Sequence, residues 1–407
     1  MTGARSVTAS WRPTAYAGHK LVAAGEADQA RTRHRDHFLG LADAWAAASD
    51  YWSWWQWLRR LVADRDDFAA ALEWSLERGD DDALLHLAAA HWPYWYWGET
   101  LGWRRWLVEA VERCPTPGPA RVEALVALAS LLQRSGEEPA RCEALFAEAR
   151  RVALGLPGGQ SVAQVDFYRA HVLISDGERR AAEGLVRGAF GRSTNADFLG
   201  WCRWALGWIA LLDDDVDKAA AEFHASLVLG DGVDDESLRA HVCSALALVA
   251  ALRGDGDTAD AMAARAVRSA ERMEGAPRVL MMALAHAGQA AVLVGAGRAA
   301  TPTTRLLRML RDMGVAYWAD EALDVRGLVL AERFPEAAAA ALCAARPVGE
   351  DDGRLGAMRN RLVRCRSRLA EIVGARGWAA AADRARATPV DEAIGHALAA
   401  LEGQQAH

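Results

Sequence analysis

Lysine is almost missing from this sequence: Lys20 and Lys218 stand alone in 407 residues, against 45 arginines. Schiff-base and pyridoxal chemistry need a desolvated lysine. Lys20 lies in a polar N-terminal stretch and Lys218 follows the acidic run Asp213-Asp214-Asp215, so neither context suits that chemistry. Asparagine and isoleucine are equally scarce, which is what GC-rich coding produces, and the arginine excess reflects the same bias. Net positive charge is lacking too. A formal charge of -7 leaves no basic field of the kind that dominates nucleic-acid affinity, and disfavours a nucleic-acid partner.

Cysteine is sparse and scattered. Cys114, Cys142, Cys202, Cys243, Cys343 and Cys365 form no C-x-x-C pair and no ligand spacing, so reduced and mostly buried thiols in a cytoplasmic protein are expected. His34 and His37, with Asp36 between them, lack a third ligand at sensible spacing, and no metal is expected. No Ser/His/Asp or Cys/His arrangement stands out, and no cofactor is expected. The glycine-rich segments Gly155–Gly159 and Gly295–Gly297 follow helical rather than strand patterns, so they fail the context of a dinucleotide loop. Met1 to Pro13 has no charged segment followed by an apolar one, so no secretion signal is expected. The most apolar run, Val279 to Val294, falls short of a clean span of about 20 residues, is interrupted by His286 and Gln289, and reads as a buried helix. No membrane partner is expected.

What the sequence has in quantity is helical periodicity. From His34 onward apolar residues recur at helical spacing, and no run alternates with the period of two that a half-buried strand needs. Turns punctuate the pattern at intervals of about 40 residues: Ser135-Gly136-Glu137, Asp176-Gly177-Glu178, Asp213-Asp214-Asp215, Gly254-Asp255-Gly256 and Gly295-Ala296-Gly297. Glycine tolerates the left-handed cap that ends one helix, and aspartate accepts from the free amides that open the next. After the turns come small residues, Ala219, Ala220 and Ala221, then Ala259, Ala261 and Ala263, where two helices can approach closely. The expectation is an all-α chain, a right-handed solenoid of tetratricopeptide-like hairpins with a concave inner surface. Its expected parts are a polar arm over 1–32, a Trp-rich helical subdomain over 33–115, repeats over 116–346 and capping helices over 347–407.

Particular residues also carry a family resemblance. Asp64-Arg65-Asp66-Asp67-Phe68-Ala69-Ala70-Ala71-Leu72-Glu73-Trp74, followed by Arg78-Gly79-Asp80, resembles the "E-x-D-N-L-R-A-A-L-x-W … G-D" segment that opens the tetratricopeptide-like region of large ATP-binding bacterial regulators of the LuxR and antibiotic-regulator type. Trp95-Tyr96-Trp97-Gly98 with Arg104-Arg105-Trp106-Leu107 is similar to that region's "W-x-x-G-x-x-x-E-G-R-R-W-L". Ala387-Thr388-Pro389-Val390-Asp391-Glu392-Ala393 is similar to its terminal helix start. The resemblance covers roughly 34–402 and implies a helical sensor or interaction region. The regulators' G-x-x-x-x-G-K-[ST] phosphate loop is not found, nor is a helix-turn-helix after the last matched helix, so neither ATP hydrolysis nor DNA reading by those motifs is expected. Within the matched motifs Asn-Leu-Arg becomes Asp67-Phe68-Ala69 and Glu-Gly becomes Gly102-Trp103, while Pro93 would interrupt a helix. An acidic residue is lost and aromatic bulk gained, which suggests a remodelled cavity.

Twelve of the 17 tryptophans lie within the first 106 residues, more than a hairpin stack needs for its core. Trp74, Trp95 and Trp106 occupy positions the family already fills with tryptophan and read as packing. The surplus residues Trp54, Trp57, Trp92, Trp97 and Trp103, with Tyr94 and Arg104, are candidate ligand-binding residues, with core or protein interface as their other readings. An indole-walled pocket would suit a flat, apolar molecule or a cation against ring faces. A second stripe, Trp201, Trp204 and Trp208, reads as core. Were the chain an enzyme, Asp67, His91, Glu99 and Tyr94 would be the acid–base candidates, since apolar walls shift carboxyl and imidazole pKa values. Each also has a plainer reading as cap, solvated carboxylate or packed imidazole. Arg361, Arg364 and Arg368 share one helix face that is either solvated or docks an acidic group. The expected function is a binding module for a small molecule or a protein partner, in bacterial regulation or specialised metabolism. The rival is a cofactor-independent cyclase, lyase or isomerase with an aromatic cavity.

Overall fold

The computed structural model describes residues 19–47, 54–90, 104–135, 138–233, 235–273, 275–315, 318–345, 347–348 and 354–402. These are helices and their connections, with no strand among the described residues, so the all-α solenoid expected from the sequence is what forms. The chain divides into two compact units, Met1–Leu156 and Pro157–His407. The division falls at 156/157, whereas the sequence suggested a border at 115/116. Helix formation also starts earlier than the expected arm allows, with residues 19–24 helical and a full helix from Ala27.

The first unit contains α1 (Ala27–Ala47), α2 (Trp54–Ala63), α3 (Arg65–Arg78), α4 (Asp81–Ala90), α5 (Arg104–Arg113), α6 (Pro119–Ser135) and α7 (Pro139–Leu154). The Arg78-Gly79-Asp80 motif shows how the chain turns. Gly79 adopts φ 67°, the Asp80 amide returns to the Ser75 carbonyl at 2.9 Å, and Asp80 Oδ1 accepts from the Ala83 amide at 3.2 Å to open α4. Phe38, Leu61, Phe68, Leu72, Leu84 and Leu107 are buried together, with the Phe38 and Phe68 rings 4.6 Å apart. Trp74 and Trp106 are buried, as the family pattern led us to expect. Their indoles donate to Thr32 Oγ1 (3.2 Å) and Glu73 Oε2 (3.1 Å).

Arg121 holds α5, α6 and α7 together. It is buried and donates to the carbonyls of Val111 and Cys114 and, at 2.6 Å through Nη2, to Glu148. Removing the guanidinium strands the two carbonyls, while Glu148, 31% exposed, keeps water. Arg121→Met is therefore expected to destabilise the protein by about 1–3 kcal/mol. A urea midpoint equal to the parent's would contradict this.

The second unit stacks hairpins in chain order: α8 (Gln160–Ser175) with α9 (Arg179–Phe190), α10 (Ala196–Leu212) with α11 (Val216–Val233), α12 (Glu236–Leu252) with α13 (Gly256–Glu271), α14 (Pro277–Val294) with α15 (Ala300–Met313), and α16 (Ala319–Leu330) with α17 (Pro335–Ala344). The last helices, α18 (Gly356–Ala387), bent at Gly374, and α19 (Val390–Glu402), pack on α15, α16 and α17. The turns repeat one hydrogen bond. The amides of Glu178, Asp215 and Asp255 reach back to the carbonyls of Leu173, Ala210 and Ala250 at 2.8, 2.9 and 2.9 Å. Gly177 and Gly254 supply the positive φ, and in the middle turn Asp214 takes it at φ 60°. The expected turn at Gly295-Ala296-Gly297 differs: the backbone leaves α14 extended and passes through a 3₁₀ turn, Ala296–Ala299, before α15.

In three hairpins a glycine of the first helix, Gly207, Gly288 or Gly327, receives a side chain of the second. A Cβ on Gly207 would lie 2.7 Å from the Phe223 ring, and one on Gly327 would lie 2.4 Å from Leu342. These positions belong to one repeating register, Ala170, Gly207, Ala247, Gly288 and Gly327, all buried. The first helices α8, α10, α12, α14 and α16 touch one another in sequence, while the second helices pack mainly on the first helices flanking them. Closer approach on one side bends such a stack towards that side, so the first helices form its inner layer. One described helix, Pro277–Val294, is long and apolar enough to cross a membrane, but 67% of it is buried inside the unit, as befits a central repeat helix.

Candidate functional site

The inner layer of the second unit carries a row of rings. Helices α8, α10, α12 and α14 contribute His171, then Trp201, Trp204 and Trp208, then His241, then His286, and Trp318 precedes α16. His171 stacks on Trp204 (5.7 Å, 15°), Trp204 on Trp208 (6.1 Å, 15°) and Trp208 on His286 (5.2 Å, 22°). Trp318 meets His286 edge-on at 5.4 Å, and His241 stands edge-on to Trp201 and Trp204 at 4.9 and 5.4 Å. Offset-stacked and edge-to-face pairs are each worth about 0.5–1.5 kcal/mol beyond burial.

The repeat explains the alignment. His241 holds in α12 the register that Trp201 holds in α10, and Trp208 holds in α10 the register of His171 in α8. Equivalent positions of stacked hairpins fall side by side. Trp201 is buried core, 4% exposed, as the sequence suggested for the stripe. Trp204 and Trp208 are only half-buried, so on this point the core reading is corrected: i, i+3 and i+7 share a helix face, but its outer edge is wet. The indole N–H of Trp204 is shielded from solvent and has no hydrogen-bond partner. Trp318 adopts φ 70°, which a bulky residue takes only when its surroundings hold it there.

Electrostatically the row is neutral. Burial lowers the pKa of His171, and lowers His241 to about 4 and His286 to about 3. His286 shares a hydrogen bond with Ser244 (3.0 Å) and His241 with the Ser237 carbonyl (2.8 Å). Beside the row, Asp235 accepts from the Trp201 indole at 3.2 Å and from the Ser237 amide at 2.8 Å, and is hydrogen-bonded to Asp197. Both carboxyls are buried, and desolvation pushes Asp235 up to about 6 against the pull of those hydrogen bonds. Such a surface can stack on and exclude water from an uncharged, flat or apolar group.

The candidates chosen from the sequence lie in the first unit. Trp57 is part-buried, donates to the Ala90 carbonyl (2.8 Å) and stacks on Trp45 at 5.4 Å. Asp67 is 62% exposed and meets His34 Nε2 at 3.2 Å, so no apolar wall surrounds it. Arg104 lies 3.8 Å from Glu138. The side chain of Trp54 and all of His91, Trp92, Tyr94, Trp97, Glu99 and Trp103, along with Pro93, lie outside the described residues. His37 packs edge-on to Phe38 at 5.2 Å. On α18, Arg361, Arg364 and Arg368 are exposed, and Arg361 also donates to the Leu293 carbonyl at 2.8 Å. Two candidate groups were not singled out from the sequence: the imidazoles His171, His241 and His286, which the 40-residue register could have revealed, and Glu123. Glu123, partly buried on α6, is pushed up to about 7 by desolvation, and nothing in its sequence context signals this.

No known protein family matches the sequence, and no curated protein matches it. Among solved structures, the chain is similar to a Rap protein complexed with competence and sporulation factor, with 12% identity over 88% of this chain and 98% of that one and a TM-score of 0.53. The tetratricopeptide-repeat domain of P58(IPK) aligns at 14% identity over 88% of this chain and 97% of that one, but its TM-score of 0.23 carries no argument. The first likeness shows the fold: a tetratricopeptide-like helical repeat.

Proposed function

We propose that the chain is a helical-repeat binding module whose ring row, centred on Trp204, Trp208 and His286, holds an uncharged apolar or aromatic group of a ligand. The observation that carries this is a stack of rings, partly exposed at Trp204 and Trp208, that holds an indole N–H with no hydrogen-bond partner. Burial holds the imidazoles neutral, so the rings themselves present an apolar stacking face, which suits an uncharged group of the ligand. A ligand-responsive regulatory role agrees with the resemblance to bacterial regulators and with a structural neighbour determined in complex with competence and sporulation factor. The Trp-rich N-terminal region, with Trp54, Trp57, Trp92, Tyr94, Trp97, Trp103 and Arg104, is a second binding surface on this reading.

Tryptophan fluorescence titrated with metabolites and short peptides encoded near the gene tests the proposal. Trp208→Ala is expected to weaken the binding of any quenching ligand about tenfold or more, the loss of one stacked ring. Unchanged affinity in both Trp204→Ala and Trp208→Ala would move the site elsewhere. Glu123, poised near neutrality, favours one second reading, an acid–base enzyme acting in the first unit. A quenching ligand recovered chemically altered would support it.

A further inference from the structure

Arg326 is the deepest charged group among the described residues, 1% exposed, and none of its three guanidinium nitrogens has a hydrogen-bond partner. Its neighbours on α16 fix its direction. Val325 faces α14 and α15 through Gly288 and Thr303, Gly327 faces α17 through Leu342, and Asp324 faces the segment that begins α18 through Arg354 at 2.7 Å. Helical spacing puts Arg326 on the remaining stripe, between Ala319, Ala322 and Leu323 on one side and Leu330, which packs with Leu342 of α17 and Leu362 and Leu369 of α18, on the other. Ala319, Ala322 and Leu323 pack with Leu306, Leu307 and Leu310 of α15 and Ile394, Ala397 and Leu398 of α19.

An uncompensated charge among leucines is among the most expensive things a fold can bury, because neither water nor a counter-charge repays its lost hydration. Desolvation already lowers its pKa from 12.5 to about 10, yet it stays charged at neutral pH. Asp324, the nearest carboxyl on the same helix, points the other way and is engaged by Arg354 and Arg366. The missing counter-charge must come from outside the described chain. We propose that Arg326 anchors an anion site in the seam between α15, α16 and α19, taking a carboxylate or phosphate group of a small molecule. Guanidinium binds either group through two parallel hydrogen bonds. This site is independent of the ring row and does not rest on the function proposed above.

Thermal melts of the full chain in graded inorganic phosphate, graded acetate and sodium chloride of matched ionic strength test the site. One of the two anions is expected to raise Tm saturably above the chloride control, by about 5–10 °C at a hundredfold excess over its dissociation constant. The arm that responds identifies the chemistry. Arg326→Met is expected to melt identically in all three series. Arg326→Lys, which keeps the charge but loses the fork, is expected to need at least about tenfold more anion for half the effect. Should Arg326→Met not fold, the lysine variant and the parent's own response decide. Equal anion responses in parent and variants, or no response of the parent beyond chloride, would overturn the site.

Discussion

Replacing Phe223 by alanine lowers the stability of the second unit by about 3–5 kcal/mol, the expected cost of emptying a fully buried aromatic site. The ring occupies the notch left by Gly207 on the facing helix, and with the ring gone nothing else fills it. Gly207→Ala attacks the same contact from the other side. Its Cβ would sit 2.7 Å from the ring, so the hairpin must part or the ring must turn, at about 1–3 kcal/mol. Because the two changes act on one contact, they should not add. Gly207→Ala in a Phe223→Leu background should cost less than Gly207→Ala alone. Helicity followed by circular dichroism in urea measures all four proteins. A Phe223→Ala midpoint matching the parent's would mean that α10 and α11 do not meet as described.

Acid should unfold the protein through two histidines. His241 and His286 have pKa values below the ordinary 6.5, about 4 and about 3, because burial disfavours their charged forms. The unfolded chain therefore binds protons that the folded chain refuses. Stability present above pH 6.5 is lost as pH falls towards 3, by at most about 3 kcal/mol for His241 and about 5 for His286. His286→Phe keeps a ring against Trp208 and removes the larger of these losses, so its unfolding midpoint should move to lower pH. Asp235 has the opposite sign. Its pKa is raised from 3.8 to about 6, so its contribution is whole below 3.8 and fades as pH rises through 6. Asp235→Asn, which keeps an acceptor for the Trp201 indole and the Ser237 amide and removes the desolvated charge, should stabilise the protein at pH 8 by up to about 3 kcal/mol and leave it little changed at pH 4. Asp324, also raised to about 6, gives both proteins the same slope. Stabilisation of equal size at both pH values would remove the desolvated carboxylate from the account.

The fold was legible because its two signals are local. Helical periodicity needs only a dozen residues, and each Gly/Asp turn states its own mechanism, as Gly177, Gly254 and Asp255 show. Of the small residues expected where helices approach closely, Ala219, Ala220 and Ala259 are buried, while the notches at Gly207 and Gly327 on the first helices were not singled out. The ring row was not legible from spacing alone. Trp201 and Trp204 differ in exposure by their rotation about one helix, and three histidines on three helices become neighbours only when hairpins stack. Arg326 is harder still. Between Val325 and Gly327 it looks like one arginine among 45, and only the surrounding seam makes it costly.

The register Ala170, Gly207, Ala247, Gly288 and Gly327 has a consequence for how the second unit comes apart. Each interior hairpin is held by its two neighbours, so the stack behaves as a one-dimensional chain of coupled links. Opening then begins at an end, where a hairpin has one neighbour, and propagates inward. The rings on α10, α12 and α14 belong to interior links, the last to open. A ligand bridging them would clamp several links at once, so that binding at one face is felt as rigidity along the whole row.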